Sequence, residues 1–286
     1  VKIYLASLKS WPKDGYVEIM KLYLAQTMSD NRLRKHPVKM RLADNNGYRK
    51  NWLKNDIEND MEFFRRVYSL ESFFYAKEWQ YDAVPYYKGF MLDSGAYTFM
   101  ENSAESPDWK EYVQRYIKVI KKYKIKLFYE LDIDVVTGLE KVEEYRDTIE
   151  QATGRQSIPV WHVSRGMDYF HRMVEDYKYI AIGGIVSREI RPIDYPALKK
   201  LIQISHKNGC KIHGLGFTKQ NIKEYRFDSV DSTAWVHGNI GGYMYHFTGT
   251  GMKKSKPPEG MMLKAYEVAK HNFMQWLLYA EYLEKF

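Results

Sequence analysis

Short apolar runs recur along this chain, each followed by an amphipathic stretch of helical period, and that alternation is what most limits its fold. The runs fall at Lys2 to Ser7, Gly89 to Ser94, Lys126 to Asp132, Ile158 to Ser164, Tyr179 to Ile185, Lys211 to Phe217, Phe227 to Asp231 and Gly242 to Phe247. Helical patterns lie between them at Asp108 to Tyr123, Gly138 to Ala152, Asp168 to Tyr177, Tyr195 to Asn208 and Lys219 to Glu224. A long last helix is expected from about 260 to 286. Strands without polar alternation that take turns with helices form a parallel sheet covered on both faces. About eight such units make a closed (β/α)8 TIM barrel, an α/β fold, rather than an open sheet.

One segment breaks the rhythm. Residues 8 to 88 are too many for one helix, so they read as a helical and loop insertion after the first strand, with Met20 to Met28 and Asp56 to Glu78 helical. No repeat, linker or low-complexity tract divides the 286 residues, and one domain spanning 1 to 286 is the economical reading. The opening segment is too short to span a bilayer, so no membrane partner is expected. The single cysteine, Cys210, excludes an internal disulfide and a thiolate-rich zinc site and points to a reduced, cytoplasmic setting. No bound metal or other cofactor is expected. A net charge of +8 favours a polyanionic partner, and tyrosine-rich composition beside Lys and Arg suits base stacking with phosphate pairing.

In a barrel the chemistry sits where the strands end. Those ends carry Asp93-Ser94-Gly95, Asp132, His162, Gly183-Gly184, Gly214-Leu215-Gly216 and Asp228. Acids beside small residues serve either as catalytic carboxylates or as simple turn and cap residues. His162 suits a ligand contact or a structural hydrogen bond equally. Asp134 and Asp231 lie close to Asp132 and Asp228, and a register shift would exchange them. A divalent-metal site built from Asp93, Asp132, His162 and Asp228 is a third reading, which would make the chain a metal-dependent lyase or hydrolase.

These motifs, in this order, resemble the tRNA-guanine transglycosylase superfamily. The resemblance rests on Asp93-Ser94-Gly95-Ala96-Tyr97, Leu131-Asp132-Ile133, Ile182-Gly183-Gly184-Ile185, His213-Gly214-Leu215-Gly216 and Phe227-Asp228-Ser229. The chain lacks the cysteines of that family's zinc site, and the run after Asp228 departs from Pro-Thr-Arg. The compact form is similar to the DNA-guanine transglycosylases of bacteriophages, which place 7-deazaguanines in phage genomes. The resemblance implies exchange of guanine in double-stranded DNA for a base such as 7-cyano-7-deazaguanine, with tRNA as the alternative substrate. It implies Asp228 as nucleophile through a covalent aspartyl–deoxyribosyl intermediate and Asp93 as acid/base. Ser94, Gly95, Tyr97, Asp132, His162, Gly183, Gly184, His213 and Gly216 would hold the base. Arg32, Arg34, Lys35, Lys50 and Arg188 are the candidate phosphate contacts. A degenerate barrel that binds nucleic acid or a modified base without turnover is the non-enzymatic alternative.

Overall fold

A computed structural model describes residues 21–25, 65–76, 78–95, 98–99, 107–218, 221–235, 242–256 and 265–286. Among them, eight strands form one sheet: β1 (Lys21–Ala25), β2 (Tyr68–Ser72), β3 (Gly89–Asp93), β4 (Leu127–Phe128), β5 (Val160–Trp161), β6 (Tyr179–Ile182), β7 (Lys211–Gly214) and β8 (Ser229–Ser232). Their spatial order is β4-β3-β2-β1-β8-β7-β6-β5 and every pairing is parallel. The two outer strands are joined by a parallel bridge between Tyr129 and Ile158. There the Ile158 N–H donates to the Phe128 carbonyl at 2.8 Å and the Glu130 N–H to the Ile158 carbonyl at 3.2 Å.

Four helices follow strands of the sheet: α1 (Trp109–Lys122), α2 (Leu139–Thr153), α3 (Gly166–Asp176) and α4 (Tyr195–Lys207). The mixed α/β architecture with a parallel sheet is therefore as the alternation predicts. Helix α1 shows how the sequence specifies it. Asp108 caps its start, accepting from the Lys110 and Glu111 N–H groups, which would otherwise lack partners. Trp109, Tyr112, Val113, Tyr116, Ile117 and Ile120 recur at helical spacing and are buried. The Tyr116 hydroxyl donates toward both the Leu92 and Tyr129 carbonyls, and the Tyr112 hydroxyl donates to the Ser94 carbonyl at 2.6 Å. The helix thereby anchors the strand ends on either side of Asp93.

Two apolar clusters lie on the two faces of the sheet. One joins strand residues such as Phe90, Leu92, Phe128, Ile180, Ile182, Ile212 and Val230 to the helices. The other is built from Tyr68, Leu70, Met91, Tyr129, Ile158, Val160 and Ala181, without any helix residue. Successive strand side chains point to opposite faces, so strand parity assigns each residue to one cluster.

The region from 8 to 88 departs from the sequence reading. It contributes two strands to the sheet, β1 within the stretch expected to be helical at Met20 to Met28, and β2 within that at Asp56 to Glu78. The β2 sequence, Tyr-Ser-Leu-Glu-Ser, carries a charge in its middle, which disguised a buried strand. Glu71 is buried yet satisfied, accepting from the Ser69 hydroxyl at 3.1 Å and the Gln80 amide at 3.4 Å. The expected strand at Lys2 to Ser7 lies outside the described residues.

The expected strand at Gly242 to Phe247 is also placed differently. It forms β9 (Met244–Phe247), which pairs antiparallel with β10 (Met252–Ser255) in a separate two-stranded sheet. The last helix, α5 (Ala265–Leu283), covers its free edge. Asn272 and Gln275 accept the Tyr245 and Phe247 N–H groups at 2.7 and 2.8 Å, which removes an exposed strand edge. The helical pattern at Lys219 to Glu224 is a single turn at Ile222–Glu224.

Candidate active site

Because the strands are parallel, their C-terminal ends share one side of the sheet. Asp93 closes β3, and Asp231 lies near the end of β8 in register with Tyr23 of β1. Asp132 follows β4, and His162 follows β5 directly. Asp93 shares parity with Met91, and Asp231 with Ser229, whose hydroxyl meets Tyr179 of the helix-free side. The charges of Asp231 and Asp132 both reach Asp93.

Their surroundings differ. Asp93 has its pKa pushed up to about 6, first by burial and then by the charges of Asp231 and Asp132. The Gly95 N–H, donating to Asp93 Oδ2 at 3.0 Å, only partly offsets this. Gly95 has φ of 77° and an added Cβ would lie 2.6 Å from Phe74 Cβ, so the tight turn that supplies this N–H requires glycine.

Asp132 is held by cations. Arg165 Nη2 donates to its Oδ1 at 3.1 Å, and His162 Nε2 lies 2.8 Å from its Oδ2. The same guanidinium reaches Asp134 through Nε at 2.8 Å and Glu130 through Nη1 at 2.7 Å. Glu130 is fully buried and also accepts from Arg146 at 2.9 Å and from the Val160 N–H at 2.8 Å. The other ring nitrogen of His162 lies 3.0 Å from Glu189. Burial opposes charge on His162, but the hydrogen bond and charge of Asp132, aided by Glu189, push its pKa up to about 9. Gly183 makes room for this ring, since an added Cβ would approach His162 Cε1 to 2.4 Å. Gly184 plays the same part for Glu189.

Asp231 meets a backbone amide and a buried imidazole instead. The Gly216 N–H donates to its Oδ1 at 2.6 Å, and His213 Nε2 lies 3.3 Å away. Burial lowers the pKa of His213.

Asp228, the expected nucleophile, is placed elsewhere. It precedes β8, at the strand's N-terminal edge, and its Oδ2 accepts from the Ile212 N–H at 2.9 Å and meets His206 Nε2 of α4 at 2.9 Å. Asp231 lies three positions further along, about 10 Å along a strand and an odd step that reverses the face. The structure thus brings Asp93, Asp132, His162, His213, Gly183, Gly184 and Gly216 together with Asp231, and leaves Asp228 out.

Ser94 is buried with its carbonyl bound to Tyr112. Arg188 is exposed in the loop after β6, with φ of 64°, beside the Glu189 that reaches His162. Tyr97, Arg32, Arg34, Lys35 and Lys50 lie outside the described residues. Sequence reasoning missed Arg165, Glu130 and Glu189. The signal for the first two was acids at alternate positions, Glu130, Asp132 and Asp134, which need a shared cation if they point together. Among the described residues, no group of three or more His, Cys, Asp or Glu side chains has the arrangement to hold a metal ion. No helix there is long and apolar enough to cross a membrane.

Compared with known protein families and with curated proteins, the chain matches none.

Proposed function

We propose that this chain exchanges guanine in DNA for a 7-deazaguanine such as 7-cyano-7-deazaguanine, on a closed (β/α)8 barrel. The bridge between Tyr129 and Ile158 and the helix-free apolar cluster support closure. The observation that carries the reading is three carboxyls at one end of the sheet with three different supports: Asp93 raised toward neutral pKa, Asp132 clamped by Arg165 and His162, and Asp231 met by the Gly216 N–H and the buried His213 imidazole.

Each support fits one role. Breaking a sugar–base bond leaves positive character at the anomeric carbon, which a carboxylate stabilises and attacks. Asp231 forms the bond to that carbon as the carbon–nitrogen bond to guanine breaks. Asp93, protonated near pH 6, delivers a proton to the leaving base and recovers one from the incoming base. Asp132 is paired with Arg165 and His162, and the remaining lone pairs of its oxygens accept the amide and exocyclic amine hydrogens of a guanine-like edge. The target base must leave the duplex stack to reach the site. Exposed Val135, Val163, Met167 and Val186, on the segments that follow β4, β5 and β6, would give such a base an apolar rim.

The test is release of labelled guanine from duplex DNA on addition of 7-cyano-7-deazaguanine. Release is expected from the intact chain and is abolished in Asp231→Ala and Asp93→Ala. No release from the intact chain, or faster exchange on tRNA than on DNA, refutes the proposal.

A further inference from the structure

Inside the sheet, behind Asp231, a chain of polar groups runs through otherwise apolar surroundings. His213 of β7 and Ser229 of β8 are fully buried. His213 Nδ1 is hydrogen-bonded to the Ser229 hydroxyl, and that hydroxyl to the Tyr179 hydroxyl of β6. The imidazole meets the edge of Tyr129 with ring centroids 5.6 Å apart. On its far side, Nε2 faces Asp231 Oδ1.

We propose that His213 is a positioning residue for Asp231: a neutral imidazole, fixed in its Nε2–H tautomer by Ser229 and Tyr179, which orients the carboxylate for attack. The inference rests on Asp231 being the nucleophile of the reaction proposed above.

The hydrogen count supports the direction of every bond. A neutral imidazole donates through one nitrogen and accepts through the other. An ionised Asp231 only accepts, so Nε2 carries the hydrogen and Nδ1 accepts. Ser229 then gives its single hydrogen to Nδ1, and its oxygen accepts from Tyr179. The neighbours of the ring include Tyr129, Ser229 and Asp231, and the charge of Asp228 also reaches it; burial is the largest influence and depresses the pKa of His213.

The consequence is chemical. A carboxylate clamped by guanidinium and imidazolium, as Asp132 is, is a poor nucleophile because its charge is already neutralised. Asp231 keeps its charge, yet its Oδ1 is fixed by Gly216 and His213. Among the described residues neither bond falls on Oδ2, the oxygen left to attack. A fixed orientation of this kind raises the rate of the bond-forming step rather than the strength of substrate binding.

Two measurements test this. Long-range proton–nitrogen NMR on histidine-labelled protein should show His213 as the neutral Nε2–H tautomer at pH 7. In guanine exchange, His213→Leu should lower kcat about 100-fold with KM within about threefold, and His213→Gln, which restores a donor near the Nε2 position, should recover kcat to within about tenfold of wild type. An imidazolium or an Nδ1–H tautomer at pH 7 overturns the proposal, as does a folded His213→Leu protein with wild-type kcat. If the intact chain exchanges no base, the functional reading falls by itself, and the NMR result alone decides whether His213 holds Asp231 as described.

Discussion

At the scale of single residues, the site divides its acids by what surrounds them, and pH should expose the division. Asp93 has its folded pKa raised from 3.8 to about 6, so the native state binds its proton more tightly than the unfolded chain does. Stability is therefore lost as pH rises from about 4 to 6, and the cost is complete above that window. Asp93→Asn keeps the acceptor for Gly95 but removes the buried charge. It should be more stable than wild type by about 2 kcal/mol at pH 7.5 and nearly equal at pH 4, as read by urea unfolding. Equal differences at both pH values would remove the burial argument. His162 runs the other way. Its pKa is raised from 6.5 to about 9, so its contribution is fully present below about 6.5 and vanishes as pH climbs through 9. His162→Gln should cost about 2 kcal/mol at pH 6 and progressively less toward pH 9.5, while the hydrogen bond from Arg165 to Asp132 remains.

At the scale of elements, β8 decides the chemistry. The sequence entering and forming it holds two Asp-Ser pairs three positions apart, Asp228-Ser229 and Asp231-Ser232, and both follow or interrupt an apolar run. Composition and motif order cannot choose between them; the register of β8 against β7 does, pairing His213 with Ser229 and Gly214 with Val230. That register turns Val230 toward the helices and Asp231 toward the helix-free side. The ends of β3, β6 and β7 were legible because each carries one acid or one glycine pair, and that of β5 because it carries a single histidine. The β1 and β2 strands were not, since β2 buries Glu71, whose carboxylate is met by Ser69 of its own strand and by Gln80 from outside it. Asp228 now has a structural task, holding the Ile212 N–H and His206. Asp228→Ala should lower stability by about 1–3 kcal/mol by leaving that buried N–H unpaired, with kcat for exchange within about threefold of wild type. A loss of activity without a loss of stability would return Asp228 to the chemistry.

At the scale of the whole molecule, a buried ionic network links the site to the scaffold. Glu130 joins Arg146 of α2 to Arg165, and Arg165 passes on to Asp132 and Asp134. Removing its carboxylate leaves two guanidinium groups buried without their shared partner, so Glu130→Ala should destabilise the fold by about 3–5 kcal/mol in chemical unfolding. A loss under 1 kcal/mol would show that water or the remaining acids replace it. The alternating acids Glu130, Asp132 and Asp134 were visible in the sequence, but their cations were not, because Glu130, Arg146 and Arg165 come from separate elements and meet only when the parallel sheet is assembled. The alternation of strands and helices, by contrast, is a local signal and predicted the parallel α/β sheet directly.

The account turns on which aspartate bonds to the sugar. Guanine-containing DNA incubated with the protein, quenched in denaturant, digested and sequenced by mass spectrometry should yield a deoxyribosyl adduct on the peptide containing Asp231, with fragment ions that place it on that residue. The adduct should persist in Asp228→Ala and disappear in Asp231→Ala. An adduct on Asp228, or one that survives in Asp231→Ala, would contradict the account.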